Sequence, residues 1–308
     1  MRWEDLPQSD NVEDRRGEGG YGGGPGGRFP IGGGGLGIGG IVVLGLIGWA
    51  LGIDPRLLIG GAEILTGNQP HYQQPYRPPQ QSARRSGAPS DEMGRFVSKV
   101  LGSADATWKV VFAKDGQTYR PPRLVLFTRA TRSGCGFAQS AMGPFYCPTS
   151  REIYLDTSFF RALERRFRGC SGRACEFAQA YVIAHEVGHH VQNLLGILPK
   201  AQQAQRASTS RAEQNRMQVR VELQADCFAG VWANQAEQKW KLLQPGDIEA
   251  ALRTASAIGD DMLQRRAQGY AVPDSFTHGS SEQRKRWFTT GFKQGTVKAC
   301  NTFAAAQL

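Results

Sequence analysis

Residues 31–53, IGGGGLGIGGIVVLGLIGWALGI, carry no charged side chain over 23 consecutive positions. The hydrocarbon core of a bilayer is ~30 Å thick and takes ~20 apolar residues to cross as a helix. Glycine is a poor residue for a soluble helix but a common one in membrane helices. The stretch therefore reads as a single crossing, richest over residues 36–53, and it divides the chain in two. A secretory leader would begin within the first residues and end at a small-residue cleavage site. Here about thirty polar or Gly residues come first, including Glu4, Asp5, Asp10, Glu13, Asp14 and Glu18. Arg15, Arg16 and Arg28 precede the stretch closely, and only Arg56 follows it at the same range. By the excess of positive charge on cytoplasmic flanks, the N-terminus is expected inside and the larger C-terminal part outside.

The two parts differ in composition. Between Gly17 and Gly40, 15 of 24 residues are Gly without a Gly-X-Y period, so residues 1–35 read as a disordered cytoplasmic tail. Residues 54–90 are rich in Pro, Gln and Ser after a short apolar run, Leu57–Leu65, that Glu63 interrupts; they read as an exposed tether. Residues 91–308 hold 29 Lys/Arg and 19 Asp/Glu, which accounts for the whole net charge of +10. No dense basic block with interleaved aromatics occurs there (Arg161–Arg168 is the nearest), so no nucleic-acid partner is expected. All six cysteines lie from Cys135 onward, an even set that suits an oxidising compartment. By nearness and remainder the pairs are Cys135–Cys147, Cys170–Cys175 and Cys227–Cys300.

Within 91–308 the first 23 residues keep a helical spacing of Phe96, Val97, Val100 and Leu101. Leu124–Thr128, Phe145–Cys147 and Ile153–Leu155 are short β-prone runs between turn residues. Beyond Thr157 the pattern is helical, best over 157–167, 174–195, 211–241, 246–268 and 280–298, with Pro199, Pro245 and Pro273 expected at the breaks. The fold class is α+β, predominantly α, with a small sheet upstream of the helix 174–195.

That helix contains His185-Glu186-Val187-Gly188-His189. Four residues turn a helix by about 400°, so both histidines project from one face and can share a zinc ion. Glu186 sits beside them, where it can take a proton from an attacking water. Gly188 removes a side chain between the histidines and lets another segment approach. His190 lies about 100° round from His189 and reads as structural. A third ligand is needed, and Glu222 and Asp226 stand four apart on the helix 211–241. Glu222 can be that ligand, while Asp226 can accept the other ring N–H of a ligand histidine.

Taken together, Met1-Arg2-Trp3, Asn11 to Gly17, the Gly-rich approach to the charge-free stretch, Ala184 to His190 and Glu222 to Asp226 resemble the bacterial neutral zinc metallopeptidase family of single-pass membrane proteins. The resemblance spans nearly the whole chain. It implies the cytoplasmic (inner) membrane as location, a zincin-like metallopeptidase domain over 91–308, zinc as cofactor and a peptide or protein substrate. The Glu-x-x-x-Asp element also resembles gluzincin peptidases, which implies Glu222 as third ligand and Asp226 as its support. Those peptidases carry a later Thr-His-Pro segment followed by Arg, and Thr277-His278-Gly279 with Arg284 is similar, Gly279 replacing Pro. By that resemblance His278 donates to the oxyanion and Arg284 braces the site. The competing expectation for this segment is a helix cap at Ser280 or Ser281. The expected function is a membrane-tethered zinc endopeptidase with Glu186 as general base. Its alternative is a scaffold that keeps zinc for folding alone, to which Glu186 would be dispensable.

Overall fold

The β-prone runs assemble as the sequence suggests, with one strand added from an unexpected place. In the computed structural model, which describes residues 1–17, 89–140, 143–165 and 174–308, a four-stranded sheet runs in the order β1-β2-β6-β5. The strands are β1 (Val12–Asp14), β2 (Arg123–Phe127), β5 (Phe145–Cys147) and β6 (Glu152–Asp156). β2 is parallel to both neighbours, with Leu124 opposite Val12 on one side and Ile153 on the other, and β5 is antiparallel to β6. Between them β3 (Ala130–Ser133) and β4 (Gly136–Gln139) form a separate antiparallel hairpin.

Side chains of a strand alternate between faces, and the alternation divides the core. Leu124, Leu126, Ile153 and Leu155 face the helices and join the main apolar cluster. Val125, Phe127, Tyr154 and Cys147 face the other way and close a smaller cluster with Ala138 of β4. The disulfide Cys135–Cys147 fastens the hairpin to β5.

The helical layer begins with α1 (Glu92–Lys114), N-capped by Asp91, whose side chain accepts from the Gly94 N–H. After β6 come α2 (Ser158–Arg165), α3 (Ala174–Leu194), α4 (Ile197–Ala207) and α5 (Arg211–Trp240). They are followed by α6 (Asp247–Ala257), α7 (Asp260–Gln268) and α8 (Ser281–Gln294). α3 is buried along nearly its whole length, with Phe177, Ala178, Tyr181, Val187 and Val191 at 0 % exposure. α5 crosses it at Gly188, where a Cβ would lie 2.9 Å from the Ala225 carbonyl oxygen and 3.0 Å from its Cα. The missing side chain thus lets two helix backbones meet. The disulfide Cys227–Cys300 ties α5 to the last turn of the chain. Cys175 is disulfide-bonded as well, and its expected partner Cys170 lies outside the described residues.

Three expectations change. Residues 1–35 were expected to form a tail apart from the domain, yet Met1, Trp3, Leu6 and Val12 are buried in the main cluster. The reason is apolar burial combined with strand pairing: β1 completes one side of β2, and the Ser9 hydroxyl bonds buried Asp105 at 3.0 Å. Pro199 does not break a helix. It lies in the first turn of α4, where the N–H that proline lacks would have had no helical partner. The helix expected over 246–268 is two helices, broken at Ile258 and Gly259: the Gly259 backbone is extended and packs so closely on α8 that a Cβ there would lie 2.6 Å from the Ser281 nitrogen. The hairpin β3–β4 and β1 had no apolar run to announce them. The crossing over 36–53 and most of the tether over 54–90 lie outside the described residues. Among the described residues no helix is long and apolar enough to cross a membrane.

Candidate metal centre

α3 and α5 bring His185, His189 and Glu222 together. Nε2 of His185 lies 3.1 Å from Nε2 of His189 and 3.2 Å from Oε2 of Glu222. Nε2 of His189 is 3.4 Å from the same oxygen. One donor atom from each residue lies within 4.8 Å of the others. Three donors so close serve one ion, and two imidazole nitrogens with a carboxylate oxygen are a donor set of catalytic zinc sites, which leave a fourth position open.

The opposite nitrogen of each histidine is held. His185 Nδ1 is 2.9 Å from Oδ1 of Asp226, and His189 Nδ1 is 2.9 Å from Oε1 of Gln192. Both acceptors take an Nδ1–H, which turns the lone pair of Nε2 toward the shared point. Asp226, fully buried, also accepts from the Tyr181 hydroxyl at 2.5 Å and from Arg284, whose Nε and Nη2 each donate at 2.9 Å. Gln218 donates to the second oxygen of Glu222 at 2.8 Å, and Gln192 is fixed by donating to the Val221 carbonyl and to Gln224.

The electrostatics follow from burial and this pairing. Burial would raise Asp226, but the Arg284 guanidinium and His185 overcome it and hold the carboxyl at about 2. Burial would likewise raise Glu222, and the two histidines hold it well below the usual range. Burial pulls His185 down, yet Asp226 and Glu222 push it up to about 10; His189 is raised by Glu222 in the same way. Two carboxylates thus stabilise positive charge where the histidines converge, whether that charge is a proton or a metal. Glu186 is only 7 % exposed and is not one of the three converging ligands. Burial raises its carboxyl, against the pull of His185 and His189. His190 turns away: Nε2 donates to the Arg120 carbonyl at 2.6 Å and Nδ1 accepts from Tyr146 at 3.0 Å. Burial lowers it to about 4, so it is neutral and holds α3 against the sheet.

His278 sits in the loop before α8, close enough to Glu222 for each to shift the other. Asp260 positions that loop. Its Oδ2 accepts from the N–H groups of Thr277, His278 and Gly279 at 2.7, 2.6 and 3.1 Å, and its Oδ1 is 3.3 Å from His278 Nδ1. Gly279 has φ +87°, which proline's ring cannot reach, so the departure from Thr-His-Pro gives this loop a shape of its own. The cap expectation is met, since Ser280 caps α8 through a capping box with Gln283, and His278 just before it stays within electrostatic reach of Glu222.

Tyr181, Gln192, Gln218 and Asp260 were not found from the sequence. Tyr181 and Gln192 had a signal: they lie four residues before His185 and three after His189, on the ligand face of α3. Asp260 had none, because it is brought to the site by tertiary packing.

A family model described as "Putative neutral zinc metallopeptidase" matches residues 1–303. The chain belongs to that family. It is 49 % identical over 305 residues to the uncharacterized protein YpfJ of Escherichia coli K12, covering 98 % of this chain and 99 % of that one. It is 42 % identical over 237 residues to the uncharacterized protein Rv2575 of Mycobacterium tuberculosis, covering 73 % and 75 %. No solved structure matches the chain.

Proposed function

We propose that this family member is a zinc-dependent peptidase in which His185, His189 and Glu222 hold the ion and Glu186 is the general base. The carrying observation is the convergence of three ligand atoms with a buried carboxylate beside them that belongs to no ligand set. Burying a carboxylate is costly, and a zinc site serving stability alone has no use for Glu186. That favours the enzyme over the scaffold.

Zinc, when bound, supplies Lewis acidity to an attacking water and to the scissile carbonyl. Glu186 takes the proton of that water and returns it to the leaving amine. Asp226 and Gln192 keep both histidines in the tautomer that presents Nε2. His278, held by Asp260, is the donor for the carbonyl oxygen as charge develops on it. β5 is the sheet edge nearest α3, joined to it by Tyr146, and offers its backbone to an extended peptide. Attachment to the cytoplasmic membrane through the charge-free stretch belongs to the same proposal.

The test uses the full chain. Elemental mass spectrometry should find about one zinc per protein, lost in Glu222→Ala. Glu186→Gln should keep the zinc and lower peptide cleavage by about 10²–10⁴-fold. Unchanged cleavage in Glu186→Gln would overturn the enzymatic reading.

A further inference from the structure

The charge-free stretch over 31–53 lies between two pieces of chain that the structure joins into one fold. Val12–Asp14 pairs in register with Leu124–Leu126. Met1, Trp3 and Leu6 share the apolar cluster with Phe96, Phe228 and Trp232, and Trp3 meets Phe96 edge to face at 5.5 Å between ring centres. The Arg2 N–H donates to the Leu242 carbonyl, and the Ser9 N–H to that of Ser98. Gly102 of α1 approaches this segment so closely that a Cβ there would lie 2.2 Å from the Pro7 carbonyl oxygen. The excursion of chain between the two pieces also begins and ends at one point. Arg16 binds Asp14 and, at 2.5 Å, Asp91, the residue that caps α1.

Paired strands lie ~4.8 Å apart, whereas one crossing separates its two ends by a hydrocarbon core of ~30 Å. One crossing therefore cannot connect β1 to β2. A second crossing would be needed, and residues 54–88 supply only the nine-residue run Leu57–Leu65, with Glu63 inside it. We propose that residues 1–16 and 91–308 lie on the same side of the membrane, so that the chain leaves and re-enters the domain on one face. This proposal stands in place of the expected arrangement, N-terminus inside and domain outside. This inference is independent of whether the metal centre is catalytic.

The test is two-point accessibility in intact cells and in opened membranes. Asp5 and Lys298 are both exposed, and among the described residues no cysteine is free, so Asp5→Cys and Lys298→Cys report their own positions. With an impermeant maleimide applied to intact cells, both sites are labelled or both are protected, and both react after the membrane is opened. Labelling of one and protection of the other in intact cells overturns the proposal. A second reading comes from Arg16→Cys with Asp91→Cys in one chain. A short bismaleimide should cross-link the pair in native membranes, and failure to cross-link two sites that each react singly also overturns it.

Discussion

His185, His189 and Glu222 are ordinary residues in themselves, and what makes them a candidate metal centre is what holds their far sides. His189 points its Nε2 at Glu222 because Gln192 accepts at Nδ1, and Gln192 is itself 0 % exposed and bonded to Val221 and Gln224. Gln192→Leu keeps the volume and removes the acceptor. Loss of such a partner typically weakens metal binding by about 10–100-fold, so competition with a chromophoric chelator should show zinc affinity reduced by that factor while the fold persists. Asp226 should behave differently. Asp226→Asn leaves the Arg284 guanidinium buried beside a neutral amide, and breaking a buried ion pair costs about 3–5 kcal/mol. The expected result is a larger loss of stability to urea, even without zinc, than Gln192→Leu causes by leaving the Val221 carbonyl and Gln224 without their donor.

At the scale of elements, the centre depends on α3 and α5 approaching at Gly188. A methyl group there would collide with the Ala225 backbone, which cannot swing away as a side chain could. Gly188→Ala should cost about 1–3 kcal/mol by overpacking. Because the two helices carry the proposed ligands, zinc affinity should fall with stability, as paired urea and chelator titrations would show. A second device links α1 to the N-terminal segment. Asp105 accepts from Ser9 and from Tyr119, and burial pushes its carboxyl up to about 7. The folded state thus holds a proton that the unfolded chain releases near 3.8. Between those values the native state binds more protons, so Asp105 lowers stability as pH rises from about 4 to about 7, by at most about 4 kcal/mol. Asp105→Asn should remove that part of the slope, measured by denaturant unfolding at pH 5 and pH 8.

For the whole molecule, residues 1–14 are part of the domain's core and sheet. A fragment of residues 91–308 would lack β1 and the side chains of Met1, Trp3, Leu6 and Val12. Each large apolar side chain contributes about 1.5–3 kcal/mol on burial, against a total stability of about 5–15 kcal/mol for a typical domain. Residues 91–308 alone should therefore fail to give a cooperative thermal transition, where the full chain gives one. Zinc held at the proposed site would add to stability by mass action, about 2.7 kcal/mol at a hundredfold excess over Kd. Chelation should therefore lower the melting temperature of the full chain and leave that of Glu222→Ala unchanged.

Much of this was legible in the residues alone. His185, Glu186 and His189 declare themselves by helical spacing, and Glu222 with Asp226 by the same spacing on a second helix, because four residues make nearly one turn whatever the rest of the protein does. The strands at 123–127, 145–147 and 152–156 showed as apolar runs, and two disulfides followed from nearness and remainder. What only the tertiary structure decided is what joins distant stretches of chain. Asp260 reaches the loop of His278, Gly279 takes a backbone angle closed to proline, and β1 crosses more than a hundred positions to pair with β2. A three-residue strand in a polar, Gly-rich neighbourhood has no periodicity to read. It becomes a strand because β2 presents it with unpaired backbone groups and an apolar layer to complete, and neither exists until the rest of the domain has folded.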